Sequence, residues 1–151
     1  IAKNEAGIAA IMGHEVAHAL ANHGQQRISA GMIQQGAGIG VDIATKDKSS
    51  SEQKIWMQAF AVGSSVGGML PFSRAHETEA DEIGLYLTAI AGYNPNEAAL
   101  LWERMKANSD GKSPPEFLST HPSNDSRISN LRALSSKAKE EALKFGVTSF
   151  R

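Results

Sequence analysis

Apolar residues recur at three- and four-residue steps near the start of the chain, where Ile8, Met12, Val16, Ala19 and Leu20 form a stripe among good helix formers. This spacing predicts a helix from Asn4 to about Arg27, with Asn4 as its N-cap and Gly24 near its end. Between Gly31 and Thr45, four glycines sit among small apolar residues, a pattern compatible with either a helix or a loop. Lys46 to Glu52 is polar and serine-rich and reads as a surface turn. Ile55, Trp56, Ala59, Phe60 and Val62 then suggest another apolar-faced helix toward Gly67. Pro71 and Ser73 punctuate the chain, and Ser73 is placed to cap a helix running to about Ala91 whose Ala80, Ile83, Leu87 and Ile90 face a core. Gly92 should end it. Asn94-Pro95-Asn96 opens a helix through Leu100, Leu101, Trp102 and Met105, and Pro114, Pro115 and Pro122 fence a loop before a last amphipathic helix from about Asn124. The expected fold is mainly α.

The length of 151 residues fits one domain spanning 1–151 with a single core. A net charge of −1, from 15 basic and 16 acidic residues, offers no electrostatic case for nucleic acid. With no cysteine, a metal site must be built from His and carboxylates. No apolar run reaches the roughly 20 residues of a membrane-spanning helix. There is no initiator Met and no signal-like segment, so the sequence reads as a fragment lacking its amino-terminal part. Any membrane association would then lie in that missing segment.

His14-Glu15-Val16-Ala17-His18 is an HExxH pattern. On a helix, two residues four apart project within about 40° of each other, so both imidazoles can reach one zinc ion. Glu15 sits beside them as a general base toward the attacking water and as a donor to the leaving amine. A catalytic zinc takes a third protein ligand, for which His23, His76, Glu77, Glu79, Asp81 and His121 are candidates. His23 lies about 140° from His18 on an ideal helix, and Ala21 stands where a three-His arrangement would need glycine. Glu77 and Asp81 repeat the four-residue step, which suits one carboxylate on the metal and a second receiving the other ring N–H of His14. Glu79 and Glu82 point elsewhere on the wheel. Ala80 and Gly84 share the Glu77 face, and Gly7, Ala17 and Ala21 share that of His14 and His18, so these helices could approach closely. Glu77 is thus the favoured third ligand, with His76 its alternative.

At these residues the chain resembles the gluzincins, and more narrowly the HtpX-like and CAAX-prenyl-protease-like zinc endopeptidases. The resemblance rests on the HExxH block, on Ser73-Arg74-Ala75-His76-Glu77-Thr78-Glu79-Ala80-Asp81, on Ser119-Thr120-His121-Pro122 with Arg127, and on the Gly92-Tyr93-Asn94-Pro95 turn. It implies one zinc ion per chain held by His14, His18 and Glu77, with Asp81 behind them. It also implies a zincin-like fold that is α+β in the whole protein, its substrate-binding edge strand preceding residue 1. His121 and Arg127 are candidates for stabilising an oxyanion, and the resemblance gives His121 a second role, filling the open zinc position in a resting form. Members of this type work in membrane or envelope protein quality control, which implies polypeptide substrates, and the periplasmic branch is the nearest in character.

Two other functions compete with an endopeptidase. Gluzincin aminopeptidases carry a Gly-Ala-Met-Glu-Asn segment, and Gly31-Met32-Ile33-Gln34 lacks its acid. A chaperone-like or adaptor module with a structural zinc would have no need of Glu15. The glycines between 31 and 40 would suit either a moving lid within 31–72 or close helix packing.

Overall fold

The computed structural model describes residues 2–109, 121 and 125–151. The expected proline loop, with Ser119, Thr120 and Pro122 of the third block, lies outside the described residues. Those residues form helices α1 (Glu5–Leu20), α2 (His23–Ala44), α3 (Ser50–Ser64), α4 (Leu70–Ile90), α5 (Asn96–Ser109) and α6 (Asp125–Leu143), with a π-helical stretch at Ser65–Met69. There is no strand among them, in keeping with a mainly α fold.

The chain divides into two compact units, Ile1–Ala21 with Glu77–Arg151, and Asn22–His76. In the first, Leu85, Ala89, Leu101, Trp102, Met105, Ile128 and Leu131 from α4, α5 and α6 form the core, with Ala10 of α1 packed among them. Asn4 caps α1 as expected, its side chain accepting from the Gly7 N–H at 2.9 Å, a contact of the kind worth about 1 kcal/mol. Gly92 ends the α4 turn at φ 82°, a left-handed conformation that costs glycine nothing.

The buried face of α1 is not its apolar stripe. Ile8, Met12, Val16 and Leu20 are 43–62% exposed, while Ala6, Gly7, Ala10, Gly13, His14 and Ala17 turn inward. Small residues win because α4 crosses at backbone distance: a Cβ built on Gly13 would stand 2.7 Å from the Gly84 carbonyl oxygen, and one on Gly84 2.7 Å from the His14 amide nitrogen. Along α4 the same geometry buries Ala80, Asp81, Gly84, Leu85, Thr88 and Ala89, leaving Ile83, Leu87 and Ile90 half-buried. Ile8, Met12 and Val16 instead line an open groove of about 450 Å³ with Leu87, Thr88 and Tyr93.

The second unit is a helical hairpin, so the stretch from Gly31 to Thr45 resolves as helix. Its turn ends in a capping box, in which the Ser49 hydroxyl receives the Glu52 N–H while the Glu52 carboxylate receives the Ser49 N–H. Gln34 donates to Ser64 at 2.8 Å and Gln53 to Asp42 at 3.0 Å, tying α2 to α3. None of the buried hydrophobic side chains belongs to this unit, and Ile28, Met32, Ile33, Ile39, Ile43, Ile55 and Trp56 are exposed. The helical path runs without a break from α3 through the π-helical stretch into α4 at Leu70, ahead of Ser73, so Pro71 lies just after the widened turn inside a continuous helix. Among the described residues no helix is long and apolar enough to cross a membrane.

Candidate metal centre

Helix α1 carries His14, Glu15 and His18; α4 carries Glu77 and Asp81; α6 carries Arg127 in its first turn. The backbone crossing at Gly13 and Gly84 brings the imidazoles of α1 against the carboxylates of α4. Together with His121 they form a cluster in which His14, His18, Glu77 and His121 each offer a ligand atom within 4.8 Å of the others.

The spacings match one ion. Tetrahedral zinc with bonds of about 2.0–2.1 Å holds its donors about 3.3 Å apart. His14 Nε2 is 3.1 Å from His18 Nε2 and 3.3 Å from His121 Nδ1. Glu77 oxygens lie 3.4 Å from His14 Nε2, 3.3 Å from His18 Nε2 and 2.9 Å from His121 Nδ1. Three imidazoles and one carboxylate also suit zinc chemically, so the residues present fit such an ion. Glu15 is much more exposed than its neighbour His14, and its Oε1 lies 3.4 Å from His121 Nε2.

Behind the cluster, Asp81 Oδ1 is 3.1 Å from His14 Nδ1, so the other ring nitrogen of His14 faces a carboxylate. Arg127 is 4% exposed. Its Nε donates to Asp81 Oδ2 at 2.7 Å, its Nη2 to Asp81 Oδ1 at 2.8 Å, and its Nη1 lies 3.0 Å from Glu77 Oε2. The guanidinium, a candidate for stabilising an oxyanion, thus lies against two carboxylates. Burial favours the neutral acid at Glu77, but hydrogen bonds from His121, His14 and His18 and the charge of Arg127 outweigh it, holding the carboxyl far below the usual range. At His14, burial disfavours the charged ring, while the bonds to Asp81 and Glu77 more than compensate and raise its pKa.

The remaining candidates are not among the four donors of this cluster. His23 and His76 are both buried in the second unit, with rings stacked 4.0 Å apart and 11° from parallel. His76 Nε2 bonds Gln26 at 3.0 Å, and Phe72 packs on its ring at 4.1 Å. Glu79 is exposed. Two residues of the site were not singled out from sequence. Gly13, directly before His14, permits the helix crossing, and a search for small residues facing Gly84 would have found it. Trp102 lies over the guanidinium of Arg127 at 4.1 Å and meets the His14 ring edge-on at 6.0 Å. Its spacing marks it only as core.

Similarity to known proteins extends over most of this chain. The mitochondrial metalloendopeptidase OMA1 of Saccharomyces cerevisiae is 35% identical over 145 residues, covering 93% of this chain and 39% of that protein. OMA1 of Schizosaccharomyces pombe is 40% identical over 131 residues, covering 85% of this chain and 36% of that one. The beta-barrel assembly-enhancing protease of Escherichia coli K12 is 30% identical over 139 residues, covering 85% of the chain and 27% of its own length. The chain thus spans well under half the length of these relatives, and no solved structure matches it. The family model described as peptidase family M48 matches residues 1–135, the stretch that contains every member of the cluster, and the chain belongs to that family.

Proposed function

We propose that this chain is the catalytic part of a zinc-dependent endopeptidase that cleaves misfolded or membrane-associated envelope proteins, with one ion held by His14, His18 and Glu77. The observation carrying this reading is the set of donor spacings near 3.3 Å with Glu15 beside them. A zinc ion there would polarise the scissile carbonyl and acidify the attacking water. Glu15, on the more exposed side of the cluster, accepts the proton of that water and returns it to the leaving amine. Asp81 fixes the ring of His14 through Nδ1, which leaves Nε2 for the ligand set.

His121 completes the set of four donors in a resting form and gives up its place when a peptide enters. Support for this comes from its Nδ1 within the cluster and its Nε2 toward Glu15. Substrate class follows the names of the relatives, one a protease that enhances β-barrel assembly. The compartment we propose is the bacterial cell envelope, specifically the periplasm; the relatives named mitochondrial make that organelle the alternative, and fractionation of the source cell decides between them.

Glu15→Gln tests the mechanism. The variant should bind zinc as the unaltered chain does and lose cleavage of an unfolded protein substrate by about 10²–10⁴-fold. Undiminished cleavage would refute the assignment.

A further inference from the structure

We propose that Trp102 and Arg127 are a positioning pair that sets the two carboxylates of α4, and that Arg127 serves the metal ligands instead of the reacting carbonyl. This rests on the reading of the cluster as a zinc site. Arg127 offers a rigid planar fork, and its Nε and Nη2 grip both oxygens of Asp81 while Nη1 reaches Glu77 Oε2. A lysine has the charge without the fork.

Glu77 and Asp81 lie one helical turn apart and are 4% and 7% exposed, so two buried carboxylates face the same way. A single guanidinium touching both holds their oxygens in one arrangement. Oε2 of Glu77 meets the guanidinium and also faces His14 Nε2 at 3.4 Å, while Oε1 lies 3.3 Å from His18 Nε2. Oδ1 of Asp81 takes Arg127 Nη2 and faces His14 Nδ1, so the guanidinium reaches His14 through one shared atom.

Trp102 makes the fork hold still. It is 4% exposed on α5, with one face 4.1 Å from the guanidinium carbon. The cation–π contact restrains the guanidinium over the indole face, and the same side chain meets the His14 ring at 76°. One apolar side chain thus braces the cation and a ligand of the same ion.

The two roles for Arg127 predict different losses. Removing an oxyanion donor lowers kcat by about 10²–10³-fold and leaves metal affinity alone. Removing a group that orients ligands costs about 10–100-fold in metal affinity.

The experiment measures zinc dissociation constants by chelator competition, the visible spectrum of the cobalt-substituted protein, and kcat at saturating zinc. The proteins are the full chain, Arg127→Lys, Trp102→Leu, Trp102→Phe and the double variant Arg127→Lys with Trp102→Leu. The expected result is a 10–100-fold weaker zinc affinity and a shifted cobalt spectrum for Arg127→Lys, with any fall in kcat at saturating zinc smaller than the fall in affinity. Trp102→Leu should fall in the same direction and add little to Arg127→Lys, while Trp102→Phe, which keeps an aromatic face, recovers most of the affinity. If Trp102→Leu does not fold, Trp102→Met takes its place, and a zinc affinity and cobalt spectrum identical to those of the unaltered chain in that variant overturn the bracing role. A kcat loss of 10²-fold or more at unchanged zinc affinity makes Arg127 an oxyanion group and overturns the proposal. Failure of the unaltered chain to bind zinc overturns the metal reading itself, a result separate from unchanged affinity in the variants.

Discussion

Gly13 and Gly84 meet backbone to backbone, with no room on either for a Cβ: one on Gly84 would lie 2.7 Å from the His14 amide nitrogen and 2.8 Å from the Gly13 carbonyl carbon. The contact falls immediately before the first imidazole of the cluster and two turns beyond Glu77 on α4. Separation of the helices here would move ligands on both sides of the ion.

Gly84→Ala should therefore destabilise the chain by about 1–3 kcal/mol through overpacking and weaken zinc binding along with it. Gly36→Ala is the control, since a Cβ there meets nothing within 4 Å and the position is mid-helix. That variant should be neutral or more stable by up to about 1 kcal/mol. Denaturant midpoints with zinc titrations check both, and equal effects at the two glycines would contradict the crossing as the determinant.

Replacing His121 by alanine should remove the fourth donor and leave His14, His18 and Glu77. The cobalt-substituted variant is expected to show a visible spectrum altered from that of the unaltered chain, with zinc affinity reduced by less than for His18→Ala. Identical spectra would place His121 outside the ligand set.

Stability of the metal-free chain should depend on pH through two groups of opposite sign. The Glu77 pKa is depressed in the folded state from about 4.5, so its contribution is complete above that value and is lost as pH falls toward the folded pKa. The His14 pKa is raised above 6.5, so its contribution is complete below 6.5 and is lost as pH rises through the folded value. Thermal midpoints of the metal-free chain from pH 3 to 9 should fall at both ends, and His14→Gln should remove the alkaline decline. A decline unchanged in that variant would assign it to another group.

Much of the site was legible because helical pitch is a local rule. A four-residue step in His14 and His18, and again in Glu77 and Asp81, puts paired groups on one face whatever the rest of the chain does. What escaped depends on partners distant in sequence. The stripe of Ile8, Met12, Val16 and Leu20 marks a helix correctly but not its buried side, which is decided by the close approach of α4 at Gly84. Ser73 has the chemistry of a cap, yet α4 starts before it, since the π-helical stretch carries the helical path past Ser64. The glycines of α2 were ambiguous because glycine lowers helix propensity, and only pairing with α3, as where Phe60 packs near Gly38, resolves them as helix. Trp102 gave no sign beyond an apolar position on α5, because the partner that defines it, Arg127, lies on another helix.

The most direct test of the central claim is a crystal of the zinc-loaded chain with anomalous maps recorded on both sides of the zinc edge. One peak should stand within about 2.0–2.2 Å of His14 Nε2, His18 Nε2 and a Glu77 oxygen. A peak elsewhere, as at the stacked His23 and His76, or none at this cluster, would contradict the account.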